Sequence, residues 1–80
     1  MVTFGPDLAR IAELRDLVRT NQATPQQRDE FMELMYRADR LTPKQYDDYK
    51  QGRFVETVVT STLYVAGVML LAYLVGKALK

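Results

Sequence analysis

Residues 58–76 read VVTSTLYVAGVMLLAYLVG, nineteen consecutive uncharged residues in a chain of eighty. As an α-helix rising about 1.5 Å per residue they cover about 28 Å, close to the roughly 30 Å hydrocarbon core of a bilayer. Arg53 precedes the run and Lys77 follows it. About 36 Å separates them along a helix, which sets the two cations in opposite headgroup layers. Phe54 at one boundary and Tyr73 near the other suit interfacial aromatics. The expectation is one transmembrane helix over 54–76, with a short basic tail at 77–80. A buried helix of a soluble protein is the bland alternative, but a 53-residue head cannot surround a helix that is apolar on every side. A secretory signal would put an apolar run in MVTFGPDLAR, and none is there.

The remainder is segregated from this run. Nine of the eleven basic residues and nine of the ten acidic ones fall within residues 1–53, so the head is formally neutral with both signs interspersed. A nucleic-acid binder would be expected to carry a basic excess on one face, so nucleic acid is not an expected partner. The chain has neither cysteine nor histidine, which removes disulfides and the commonest metal ligands. A head this small needs another source of stability, and a partner, self-association or the membrane surface remains.

Within the head, NQATPQQRDEF (Asn21–Phe31) aligns with DRLTPKQYDDY (Asp39–Tyr49) at a spacing of eighteen residues. Thr24 and Thr42 are candidate helix N-caps, whose hydroxyls accept a backbone N–H of the first turn. Pro25 and Pro43 follow at N1, where a missing N–H costs nothing, and Gln27 and Gln45 complete a capping box at N3. Gly5–Pro6–Asp7 is a weaker form of the same punctuation. Helices are therefore predicted over about 6–20, 25–39 and 43–53, the first two as an antiparallel hairpin joined by a short link. Leu8, Ile11, Leu14 and Val18 share one side of the first helix. Phe31, Leu34, Met35 and Ala38 share one side of the second, as core or as an interaction face. Gly52 reads either as a hinge or as an interior residue of a third helix running on into the span. The fold class is all-α: a short N-terminal helical hairpin followed by a long C-terminal helix that includes a single transmembrane span.

The segment LMYRADRLTPKQYDDYK (Leu34–Lys50) resembles the short helical module called SHOCT, with Leu41–Thr42, Tyr46 and Lys50 where that pattern places them. Asp39 stands where glycine is usual, Pro43 is unusual, and Gln45 replaces an acid. The resemblance implies a bacterial or phage origin and an association module.

In the span, Thr62, Ala66, Met69, Tyr73 and Gly76 form a stripe at three-four spacing suited to a neighbouring transmembrane helix. Small and hydroxylated residues allow such approach, although hydroxyls also bond back to their own helix. Arg53, Phe54, Glu56 and Lys77 are the expected membrane-interface residues, with Glu56 facing water or pairing with Arg53. Asp29–Glu30–Glu33 and Asp47–Asp48 sit in early helical turns, where acids favour the positive end of the dipole. No set of residues has the spacing of a nucleophile, a ligand set or a cofactor site. Neither an enzymatic role, a cofactor nor a small-molecule substrate is expected.

The expected function is that of a non-enzymatic single-pass, tail-anchored membrane protein. Its head and anchor would mediate protein–protein assembly, as an accessory or structural subunit of a membrane complex or a membrane-containing phage virion. Its partners would be the lipid bilayer and a membrane or virion protein, or a second copy. The basic flank Arg40, Lys44, Lys50 and Arg53 favours a cytoplasmic head, at a bacterial inner membrane or a phage membrane. A holin-like or small-toxin permeabilising role is the alternative.

Overall fold

The structure, a computed structural model, describes the backbone of residues 4–78 and the side chains of residues 8–76. The described chain is all-helical, in the order α1 (Phe4–Arg19), α2 (Pro25–Arg37), α3 (Pro43–Lys50) and α4 (Val55–Ala78). This is the predicted helical hairpin followed by one long apolar helix. The first helix starts at Phe4, two residues before the predicted start at Pro6, and a proline in the first turn is compatible with this because it removes no helical hydrogen bond.

Both capping boxes form. Thr24 Oγ1 accepts from the Gln27 backbone N–H at 3.1 Å, and the Gln27 side chain accepts from the Thr24 N–H at 2.9 Å. Thr42 and Gln45 repeat the arrangement at 3.1 and 3.0 Å.

The helix ends are as regular as the starts. Asn21, Asp39 and Gly52 have φ of 61°, 63° and 77°. In each case the next residue's N–H reaches back to a carbonyl five residues earlier: Gln22 to Leu17, Arg40 to Met35 and Arg53 to Asp48. The paired shorter bonds, Asn21 to Val18, Asp39 to Tyr36 and Gly52 to Tyr49, complete three Schellman closures. Asparagine, aspartate and glycine are the residues that tolerate this left-handed backbone, so the chain can turn at these helix ends.

The third closure decides a question that Gly52 left open. α3 stops at Lys50, and α4 begins only at Val55, after a second left-handed residue, Phe54 (φ 51°). A continuous helix from Pro43 to the C-terminus is thus not formed. The likeness of positions 39 and 52, both one residue beyond a helix C-cap, explains why.

The break lets α4 turn back against the hairpin. One core collects Ile11 and Leu14 from α1, Phe31, Met32 and Met35 from α2, and Tyr49 from α3 with Leu41 just before it. Val58, Val59 and Ala66 of α4 close it. The head drawn at residues 1–53 therefore shares its core with α4 as far as Ala66. Burial of α4 side chains supplies what a 53-residue head lacks.

Urea unfolding tests the punctuation. Thr42→Ala is expected to lower stability by about 1 kcal/mol through loss of the cap. Gly52→Ala is expected to cost about 1 kcal/mol from its backbone conformation alone, since nothing lies within 4 Å of an added Cβ. Unchanged midpoints for both would contradict these roles.

Candidate functional site

The apolar periodicity of α4 is uniform, but its surroundings are not. Val58, Val59, Thr62 and Ala66 are buried against the rest of the chain. Tyr64, Val68, Leu71, Leu74 and Val75 are exposed, with Tyr64 at 74% and Leu71 at 62%. The exposed positions 64, 68, 71 and 75 are offset by two residues from 62, 66, 69 and 73, or about 200° around the helix. One face of α4 therefore belongs to the core, and the opposite face is an open strip of large apolar side chains. Such a strip on a small chain marks a surface that meets lipid or protein.

The stripe singled out for helix contact lies mostly on the inner face. Thr62 and Ala66 meet the chain's own hairpin, Met69 is half-buried against it, and Tyr73 and Gly76 are exposed. The Thr62 hydroxyl donates to the Val58 carbonyl at 2.7 Å, so it is satisfied within its own helix. The corresponding face of α2 is also interior: Phe31 and Met35 are wholly buried, and Leu34 and Ala38 half-buried. Phe31 and Met35 belong to the bundle core, and Leu34 packs against it.

α1 runs antiparallel along α4. Val18 and Arg19 line a cleft with Glu56, Val59, Thr60 and Leu63, and Leu8 lines a groove with Val65, Met69, Ala72 and Tyr73. Between them, Arg15 lies across the middle of α4. Its Nε donates to the Leu63 carbonyl at 3.4 Å, and a Cβ placed on Gly67 would fall 2.9 Å from its Nη2. Glycine at 67 leaves room for the guanidinium against the helix, where a Cβ would push it aside. Sequence reading missed this contact, because the partners are 48 residues apart and neither carries a local signal.

The interface residues have specific settings. Arg53 is held by α3, with its guanidinium 3.3 Å from Asp47 and 3.4 Å from buried Asp48, which Lys44 also reaches at 3.2 Å. Arg53 therefore does not pair with Glu56. Glu56 is exposed at the mouth of the cleft lined by Arg19 and Arg28. Phe54 is 70% exposed and left-handed, an aromatic presented to the surroundings at the corner where α4 begins. The Lys77 side chain and the rest of the 77–80 tail lie outside the described side chains.

Polar links fix the hairpin. The Arg10 guanidinium grips Glu30 through Nε at 2.7 Å and Nη2 at 2.8 Å, and also meets Glu13 at 2.8 Å. That pairing holds the Glu30 carboxyl below its ordinary value and the Arg10 guanidinium above its own. Tyr36 and Tyr46 stack at 4.4 Å between ring centres, tying α2 to α3. Tyr49 donates its hydroxyl to Asp29. Burial pushes the Tyr49 phenol up to about 12, and the bond to Asp29 adds to the rise. Among the described residues, no group of three or more carboxylates stands close enough to hold a metal ion.

In comparisons with known proteins, the chain matches no family model, no curated protein and no solved structure.

Tyr49 gives a pH test with a definite sign. Its folded pKa lies above the unfolded value of 10.0, so the folded state binds the proton more tightly. Its contribution is therefore full below pH 10.0 and lost as pH rises towards about 12. Stability measured by denaturant unfolding should fall across that window, and Tyr49→Phe should remove this component of the fall. An identical alkaline profile for the variant would contradict the assignment.

Proposed function

We propose that this chain is a non-enzymatic single-pass membrane protein that joins a larger assembly through its helical head and the open face of α4. The observation that carries the reading is the α4 segment Val55–Gly76. It is long and apolar enough to cross a membrane, and its outer strip Tyr64, Val68, Leu71 and Val75 has no cover within the chain. Exposed Phe54, at the start of the helix, suits an interfacial anchor. The basic residues Arg40, Lys44, Lys50 and Arg53 on the head side favour a cytoplasmic head.

An association role fits the head. The resemblance of Leu34–Lys50 to the SHOCT module implies such a role, and the α2–α3 corner offers the stacked Tyr36–Tyr46 pair with Lys50 Nζ 5.7 Å from the Tyr46 ring. A membrane complex or the membrane of a phage virion would give this head its partner.

Alkaline carbonate extraction of membranes containing the full chain tests the reading. The wild type should remain with the membrane. Leu71→Asp alters only the exposed strip, and a charge at a helix centre opposes insertion by about 2.5–3.5 kcal/mol, so this variant should move into the wash. Complete release of the wild type would overturn the membrane assignment.

A further inference from the structure

The run Val58–Gly76 has Gly67 at its centre, with nine residues on either side. Arg15 rests on that glycine and on the Leu63 carbonyl. Arg40 lines the groove beside Val65, Val68 and Met69 on the same stretch. Two arginines thus flank the middle of the only described segment long enough to span a bilayer. Around them lie the Arg10–Glu13–Glu30 network of α1 and α2 and the Arg19–Asp16 pair, closed at 2.5 Å. If α4 crossed a bilayer with the hairpin docked in this way, these charges would enter hydrocarbon alongside it. A single arginine at the bilayer centre disfavours insertion by about a hundredfold on translocon scales. In the docked form α1 lies alongside α4 as far as Tyr73 and Leu74, so no stretch of α4 as long as a hydrocarbon core is clear of the hairpin.

We infer that the hairpin is a detachable sheath for α4: hairpin docked and α4 fully spanning are alternative states of the chain. This inference rests on the membrane reading above. The sheath has the required parts. The inner face of α4 needs cover in water and finds it in Ile11, Leu14, Phe31 and Met35. Its contacts with α1 are a half-buried arginine on a backbone and apolar side chains, with no ion pair between α1 and α4 among the described residues. The Gln51–Phe54 corner, with its two left-handed residues, is where the bundle and α4 part. In a bilayer, lipid or a neighbouring helix replaces the hairpin on the inner face of α4, and the charged hairpin stays in water.

The absence of cysteine makes a tethering experiment clean. Arg15→Cys with Gly67→Cys, joined by a bis-maleimide whose spacer contains a disulfide, fastens α1 to the middle of α4. Arg10→Cys with Glu30→Cys, joined by the same reagent, fastens α1 only to α2. Each protein is added to liposomes of mixed neutral and anionic phospholipid, and the carbonate-resistant fraction is measured. The α1–α4 tether should lower that fraction about tenfold or more. Reductant should restore it, and the α1–α2 tether should leave it unchanged. Circular dichroism before addition shows whether each tethered chain is folded, and recovery on reduction shows that tethering caused no lasting damage. Equal insertion of the α1–α4 tethered chain overturns the sheath while leaving the membrane reading in place. Failure of the untethered double variant and of the wild type to insert overturns both.

Discussion

The inner face of α4 closes the core of the head, and the rest of the structure depends on that contact. A hairpin of two short helices plus an eight-residue third helix has little interior of its own. Val58, Val59 and Ala66 complete it, and Phe31, Met32 and Met35 are wholly buried in the result. The same helix has an opposite face of large apolar side chains that the head does not cover. One sequence of uniform hydropathy is thus divided by packing into a core element and an outward surface. The conflict between those two uses arises where Arg15 lies on Gly67, because a helix sheathed by charged neighbours cannot also present all its sides to lipid.

The turns at the helix ends make the contact geometrically possible. A continuous third and fourth helix would carry the apolar run straight away from the hairpin and leave Phe31 and Met35 without a lid. Gly52 and Phe54 prevent this by reversing the chain within four residues of Lys50. Arg53, caught by Asp47 and Asp48, fixes the corner from outside. The Schellman closures at Asn21 and Asp39 do the same work earlier, so the eighteen-residue repeat visible in the capping boxes extends to the helix ends as well.

Much of the fold was legible because its signals are local. Thr–Pro–x–Gln identifies the starts of α2 and α3 from four residues each, and the apolar run from Val58 identifies the last helix by length alone. The third helix end was ambiguous, because glycine is compatible both with a helix interior and with a left-handed cap. The direction of the apolar face was not legible. Thr62, Ala66 and Met69 have the spacing of a helix-packing stripe, but spacing does not say whether the neighbour is another chain or the chain itself. Arg15 and Leu63, 48 residues apart, lie beyond any periodic signal, and so does Tyr49 with Asp29. Long-range pairing of single residues is where sequence reasoning ran out.

The most direct measurement of the central contact is the distance between α1 and the distal half of α4 in the full chain. Ala12 and Leu74 are both exposed and line the same shallow groove, so dyes at Ala12→Cys and Leu74→Cys report on docking with little disturbance of the core. Single-molecule energy transfer at a dilution that prevents association should show one narrow high-efficiency population in water. A broad or low-efficiency population there would mean that α4 stands clear of the hairpin, and that its inner face does not close the core of the head.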